Sequence, residues 1–243
     1  TVTWTYMEPL LTSNWVDGRT YRVRSRAYDN AQNNLGASSP NVETNIVTNE
    51  FIFDVTKPTS AITSPPHNSY QEDLSRVQGT AADNLNAVGN SGVLIDGGEV
   101  TIVMDMDEDG TPSAGDYLWD GSTWTAYGGS LIWRPTVGGL AWFSADDMSG
   151  KWRSGKWYLA KFRARDRAGN YQDHTVMPWN RFSVTLPAKS FTVLVNNYNP
   201  TAGTALSASV EAKDINGDRA RNYQGRIRFT VDGLIGSPGE PEV

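Results

Sequence analysis

Trp152-Arg153-Ser154-Gly155-Lys156-Trp157-Tyr158-Leu159-Ala160-Lys161-Phe162-Arg163-Ala164-Arg165-Asp166-Arg167-Ala168-Gly169-Asn170 decides the fold, because residues 15–33 resemble it. At a constant offset of 137, Trp15, Gly18, Tyr21, Arg26, Ala27, Asp29, Ala31 and Asn33 fall on Trp152, Gly155, Tyr158, Arg163, Ala164, Asp166, Ala168 and Asn170. Identities kept at fixed spacing over so long a stretch mark a module used twice. Inside each copy the residues alternate as on a strand: Tyr158, Ala160, Phe162 and Ala164 share one face, and Leu159, Lys161, Arg163 and Arg165 the other. The arginines of that second face read as solvated, and residues 166–170 as a polar turn. The expectation is an all-β chain of serial β-sandwich modules. Nothing in the stretch is arranged for catalysis.

The chain of 243 residues could form one large or two ordinary domains, and the internal match favours modules in series. Its 23 glycines and 12 prolines, with no long apolar run at helical spacing, suit many short strands joined by turns, with little or no helix. A formal net charge of −6 argues against a nucleic-acid partner, which needs clustered Lys and Arg. The absence of cysteine removes disulfides and thiolate sites without fixing a compartment. No apolar run approaches the ~20 residues of a membrane span. Thr1 opens directly on strand-like sequence without a signal peptide, so the chain reads as a fragment. The lack of an Asn-x-Ser/Thr acceptor leans towards a bacterial source.

In chain order, residues 1–56 read as the C-terminal half of a sandwich. Trp4 precedes Trp15 much as Trp142 precedes Trp152, which extends the match upstream. The sequence Thr56-Lys57-Pro58-Thr59 is the natural joint, since proline cannot continue a sheet ladder. Residues 57–186 read as a complete sandwich: an edge strand at 61–63, a second strand at 76–81, and a central strand at 98–105 with Val100, Ile102 and Met104 on one face. A hairpin around Asp120-Gly121 and a closing strand at 181–185 complete it. After the joint Leu186-Pro187-Ala188, residues 187–243 read as the N-terminal half of a sandwich of a second type. Strands are expected there at 191–195, 205–212 and 225–230, with a turn at Asn216-Gly217-Asp218. Both ends are expected to leave apolar strand faces, either by truncation or for strands supplied by neighbouring chains.

Several motifs then carry a resemblance. Phe53-Asp54-Val55-Thr56-Lys57-Pro58, Ile62-Thr63-Ser64-Pro65, Val77-Gln78-Gly79-Thr80-Ala81-Ala82-Asp83, Leu118-Trp119-Asp120-Gly121-Ser122-Thr123-Trp124 and residues 158–170 resemble, in this order, the tandem bacterial immunoglobulin-like repeats of large secreted and cell-surface proteins. That resemblance covers residues 1 to about 186. Ala202-Gly203-Thr204, Ala212-Lys213-Asp214-Ile215-Asn216-Gly217 and Tyr223-Gln224-Gly225-Arg226-Ile227-Arg228-Phe229 resemble a different Ig-like type found in invasin-like adhesins. The resemblance implies tandem Ig-like or fibronectin-III-like modules, an extracellular, cell-surface place, and non-catalytic work as spacer, stalk or adhesive unit. Its partners would be neighbouring modules of the same protein or of adjacent chains, with cell-surface glycans as a further class. It also places a tyrosine corner at Tyr21 and Tyr158. One departure is an acidic loop after Met104.

That loop is the one constellation with chemistry. It reads Asp105-Met106-Asp107-Glu108-Asp109-Gly110-Thr111-Pro112-Ser113-Ala114-Gly115-Asp116. Acids at positions 1, 3, 5 and 12, Gly at 6 and Ser at 9 follow the spacing of a twelve-residue Ca2+ loop, in which alternate residues turn hard oxygens inward. The predicted ligands are Asp105, Asp107, Asp109, the carbonyl of Thr111, Ser113 and Asp116, with structural Ca2+ stiffening the module. The bland reading is a solvated acidic turn between strands.

Other candidates weigh less. Asp29 and Asp166 read as turn-capping residues. His67 and His174 have no metal-type spacing and read as loop residues. Trp4, Trp15, Trp142 and Trp152 read as core, and Trp119 and Trp124 as half-exposed flanks of a hairpin. Trp133, Trp157 and Trp179 fit no shared pattern and are where a carbohydrate surface is sought. Asp146-Asp147 gives no glycosidase geometry. The leading reading is a non-enzymatic, calcium-stiffened adhesive module. The alternatives are a carbohydrate-binding accessory region of a secreted polysaccharide-degrading enzyme, or a surface-layer or filament subunit completed by strand exchange.

Overall fold

The computed structural model describes residues 5, 14–31, 36, 40–83, 97–201 and 203–228. Trp4, Asn33, Ala202 and the end of the strand expected at 225–230 lie outside the described residues. Among the described residues all fourteen regular elements are strands, as the turn-rich composition implies. Among the described residues no helix is long and apolar enough to cross a membrane.

The strands β1 (Arg19–Arg24) and β2 (Thr48–Phe53) pair antiparallel with Tyr21 opposite Phe51. The middle region supplies β3 (Thr59–Ser64), β4 (Ser69–Gln71), β5 (Gln78–Ala82), β6 (Glu99–Asp105), β7 (Tyr117–Trp119), β8 (Trp124–Ala126), β9 (Arg134–Gly138), β10 (Ala141–Ser144), β11 (Lys156–Arg163) and β12 (Asn180–Val184). Last come β13 (Ser190–Val195) and β14 (Ala208–Lys213), an antiparallel pair.

The middle strands form a β-sandwich. One layer runs β3-β5-β10-β9 and the other β6-β11-β12-β4, with the β7–β8 hairpin against β6. β9 belongs to both layers: Arg134 and Pro135 pair with β6, and Thr136 to Gly138 pair with β10. As the sequence led one to expect, β3 is an edge strand and β6 a central one. Val77, Ala81 and Trp142 from the first layer meet Val100, Ile102, Met104, Tyr158, Phe162 and Phe182 from the second in one buried cluster. Period-two alternation puts these residues on the inner face, and removing them from water supplies the main driving force.

The outer face of the second layer is covered as well. Val103, Leu118 and Leu159 form a second buried cluster, backed by Tyr127, Leu131, Ile132 and Trp179. This overturns the expectation of a solvated cationic face on β11. Lys161 is 7% exposed; its Nζ donates to the His174 carbonyl and lies 4.4 Å from the centre of the Trp179 ring. Burial holds its ammonium below the ordinary lysine range. Arg163 pairs with Glu99 at 2.6 Å and lies over Trp133. Aromatic faces and a carboxylate replace water around these cations, which makes their burial tolerable. On β1 the equivalent of Lys161, Arg24, stays exposed. Trp119 also departs from expectation: it is buried, with its Nε1 donating to Asp146, while Trp124 is half-buried.

Two places carry matching contacts. The Tyr158 hydroxyl accepts the Arg153 amide proton at 2.5 Å, and the Tyr21 hydroxyl accepts that of Val16 at 2.7 Å. Trp152 and Phe182 pack on Tyr158, as Trp15 and Phe51 pack on Tyr21. The amides of Gly155 and Gly18 donate to Val184 and Phe53. The two tyrosines differ in burial, Tyr158 being wholly enclosed and Tyr21 only partly so. Burial also drives the Tyr158 phenol well above its ordinary pKa. Tyr158→Phe removes the partner of the part-buried Arg153 amide and is expected to cost about 1–2 kcal/mol, whereas Tyr21→Phe should cost less than about 1 kcal/mol because water replaces the lost partner at its exposed site. Urea denaturation of the two variants measures the difference.

Candidate metal centre

The loop from Asp105 to Asp116 begins at the end of β6 and finishes at β7. Because β6 is enclosed on both sides, its last residue is buried, and Asp105 is carried into the protein by the strand that precedes it. Gly110 at φ 83° turns the chain back, a conformation that glycine adopts without steric cost, and its amide donates to Asp105 Oδ2 at 3.1 Å. Asp116 closes the loop: Oδ1 accepts from the Met106 amide and Oδ2 from the Ser113 amide, both at 2.7 Å.

Three of the six predicted ligands converge. Each of Asp105, Asp107 and Asp116 offers a carboxylate oxygen, and these oxygens lie within 4.8 Å of one another. Ligands about 2.4 Å from a central Ca2+ are separated by at most twice that distance, so the three oxygens can share one ion. Ser113 reaches the same place indirectly, its Oγ donating to Asp107 Oδ2 at 3.0 Å. Asp109 is not among the three carboxylates that converge; its Oδ1 accepts from the Thr111 amide and hydroxyl, forming a small turn of its own.

The electrostatics are uneven. Asp105 Oδ1 is buried and has no hydrogen-bond partner. Desolvation pushes the Asp105 carboxyl above the ordinary range, with Asp107 and Asp116 adding to the effect. The hydrogen bond from Ser113 holds Asp107 below it. The nearest cation is Arg181 of β12, whose Nε is 4.0 Å from Asp105 Oδ2 and whose guanidinium lies over the Trp157 ring. Its Nη2 donates to the Glu108 carbonyl. One guanidinium beside three carboxylates leaves the cluster negative. Arg181 and Trp157 were not legible as part of this site, because they lie on strands far along the sequence and only the β6–β11–β12 pairing brings them near.

The chain matches no protein-family model and no curated protein. The arrangement must therefore be judged by its own chemistry.

A second acidic group lies elsewhere. Carboxylate oxygens of Asp54, Asp83 and Asp166, all buried, also come within 4.8 Å of one another. Asp166 acts as the expected turn cap, its Oδ1 accepting the amides of Gly169 and Asn170 at 2.7 Å. Asn170 Nδ2 donates to Asp166 Oδ2 and to the Asp54 carbonyl, tying this turn to the segment after β2. Asp29 caps in the same way, accepting the amides of Ala31 and Asn41.

The remaining candidates are engaged structurally. His67 Nδ1 accepts the Arg181 amide proton, and His174 packs edge-on against Trp133. Asp146 pairs with Arg134 at 3.0 Å, while Asp147 caps Ser149. Trp133, Trp157 and Trp179 each carry a cation on the ring, Arg163, Arg181 and Lys161 respectively.

Proposed function

We propose that this chain is a non-catalytic mechanical and adhesive segment of a large extracellular bacterial surface protein, with its middle sandwich stiffened by Ca2+ in the 105–116 loop. The observation that carries the reading is Asp105: a wholly buried carboxylate oxygen without a hydrogen bond, set beside two further carboxylates. Three carboxylates faced by a single guanidinium, one of them buried, are costly to hold together, and a divalent cation bound there would supply the missing counter-charge. The residues fit the ion in part. Asp105, Asp107 and Asp116 would hold it, and its chemistry would be electrostatic neutralisation of a loop joining β6 to β7. The matching contacts around Tyr21 and Tyr158 support serial modules, the arrangement of a stalk.

Calorimetric titration with Ca2+ and a parallel thermal melt test the metal. Binding is expected to stabilise the chain by about 2.7 kcal/mol at a hundredfold excess over Kd, a rise in Tm of several degrees. Chelation should reverse it. Asp105→Asn with Asp107→Asn should keep the fold and lose the shift. A cooperative melt that Ca2+ neither shifts nor accompanies with heat would reject the metal centre.

Strand exchange between chains is favoured by a separate observation. Among the described residues β1 pairs with β2 alone, whereas β11 also has β6 on its other edge. The aromatic group of Trp15, Tyr21, Phe51 and Phe53 is only half-buried. Concentration-dependent assembly in sedimentation would support this reading.

A further inference from the structure

A cleft of about 530 Å³ opens where the β7–β8 hairpin, the turn before β11 and the turn after β14 meet. Its size falls within the roughly 300–1,000 Å³ of small-ligand sites. The walls carry Arg153, Lys156, Arg219 and Arg221, and the acidic residue among them is Asp218. In a chain of net charge −6 this is a local reversal of sign. Asp218 is occupied with Arg153 at 3.4 Å. Glu211 faces Arg219 but is bound to Lys213 at 2.8 Å. Lys156 and Arg221 have no ion pair among the described residues. Beside them stand Trp124, Tyr117, Met104 and Met106, with the hydroxyl residues Thr123 and Ser154.

The two sides are held together by hydrogen bonds. Ser154 Oγ donates to Asp214 Oδ2 at 2.5 Å and accepts from the Leu186 amide. Asn216 Nδ2 donates to the Trp152 carbonyl at 2.7 Å. Asp214 is buried and caps its own turn through the amides of Asn216 and Asp218. The cleft is thus built before any ligand arrives, which lowers the entropic cost of binding.

We propose that this cleft binds an acidic saccharide, a pyranose ring bearing carboxylate or sulfate. The ring's C–H face would lie on Trp124 and Tyr117, and its anionic group would meet Lys156, Arg219 and Arg221. Arginine suits both anions through its fork of donors. A bare inorganic anion would leave the aromatic wall unused, and a nucleic acid would be repelled by the remainder of the surface. The proposal rests on the adhesive reading and names its partner class. It moves the glycan surface away from Trp133, Trp157 and Trp179.

The test is calorimetric titration of the full chain in calcium-free buffer with tetragalacturonate, which carries carboxylates only, and with a heparin-derived tetrasaccharide, which carries carboxylates and sulfates; binding of the first shows that carboxylate suffices, and binding of the second alone shows that sulfate is required. Maltotetraose and tripolyphosphate serve as neutral and purely ionic probes. The expected result is saturable one-to-one binding of an acidic saccharide, at least tenfold tighter than either control and weaker at high salt. Lys156→Ser with Arg221→Ser should weaken it by about tenfold or more, while Arg24→Ser, a cation on β1, leaves it unchanged. Equal binding of tripolyphosphate would reduce the cleft to a charge patch and overturn the proposal. Absence of binding by a chain that melts cooperatively and gains stability with Ca2+ would also overturn it, while leaving the stiffened module intact.

Discussion

Trp142→Ala is expected to destabilise the middle sandwich by about 3–5 kcal/mol, the range for removing a large aromatic residue from a core. Trp142 is 2% exposed, and its ring stacks on Phe162 with centroids 3.8 Å apart and planes 7° from parallel. The two residues come from opposite layers, so this contact joins the halves of the sandwich. The backbone has made room for it: a Cβ on Gly98 would collide with the Phe162 ring. Alanine would leave a void that β5 and β10 cannot close without losing their pairing. The Trp142 indole Nε1 is buried without a hydrogen-bond partner. Trp142→Phe removes that polar group together with some volume, and should therefore cost about 1–2 kcal/mol. Chemical denaturation of both variants separates packing from polarity. Equal losses would show that ring size alone does not set the stability.

Gly79→Ala is the second large effect, expected at about 3 kcal/mol or more although it adds a single methyl group. Gly79 lies opposite Ile62 on β3 and Trp142 on β10, in the middle of its layer. Its Cβ would run into the Ala61 carbonyl oxygen and would stand 2.6 Å from Trp142 Cζ2. The indole could turn aside, but the carbonyl belongs to a neighbouring strand and moves only if β3 shifts. The two substitutions share a contact, so they should not add. In a Trp142→Ala background Gly79→Ala should cost less than in the parent, keeping only the strand clash. Full additivity would mean that the indole does not rest on Gly79.

Much of this fold was legible because each strand could be read from its own alternation. Val100, Ile102 and Met104 lie in the sandwich core, and the Asp120-Gly121 hairpin forms with Gly121 at φ 102°. The strands β4, β9 and β10 were not foreseen as separate strands. They are three to five residues long, too short for a period to register. The covered face of β11 was misread for a different reason. Leu159, Lys161 and Arg163 look amphipathic locally, and only tertiary structure lays residues 127–133 and Trp179 across them. At the candidate site the spacing identified the three carboxylates that converge. It also pointed to Asp109, whose Oδ1 instead accepts from the Thr111 amide and hydroxyl. In the first copy Asn41, twelve residues beyond Asp29, donates its Nδ2 to that carboxylate, as Asn170 does for Asp166 from four residues away. A longer loop preserves the contact while defeating a fixed spacing.

The middle sandwich ends with an arrangement that matters when the chain is pulled. β12, its last strand, lies parallel to β4, near its beginning, with Phe182, Ser183 and Val184 beside Ser69, Tyr70 and Gln71. The Thr185 amide extends the ladder to the Gln71 carbonyl. Tension applied through the two ends of this domain drags the neighbouring strands past each other lengthwise. The hydrogen bonds between them then share the load in shear, where an antiparallel hairpin pulled at its open end would surrender its bonds one at a time. The parallel direction of one short strand pair thus decides how load reaching β4 and β12 is borne.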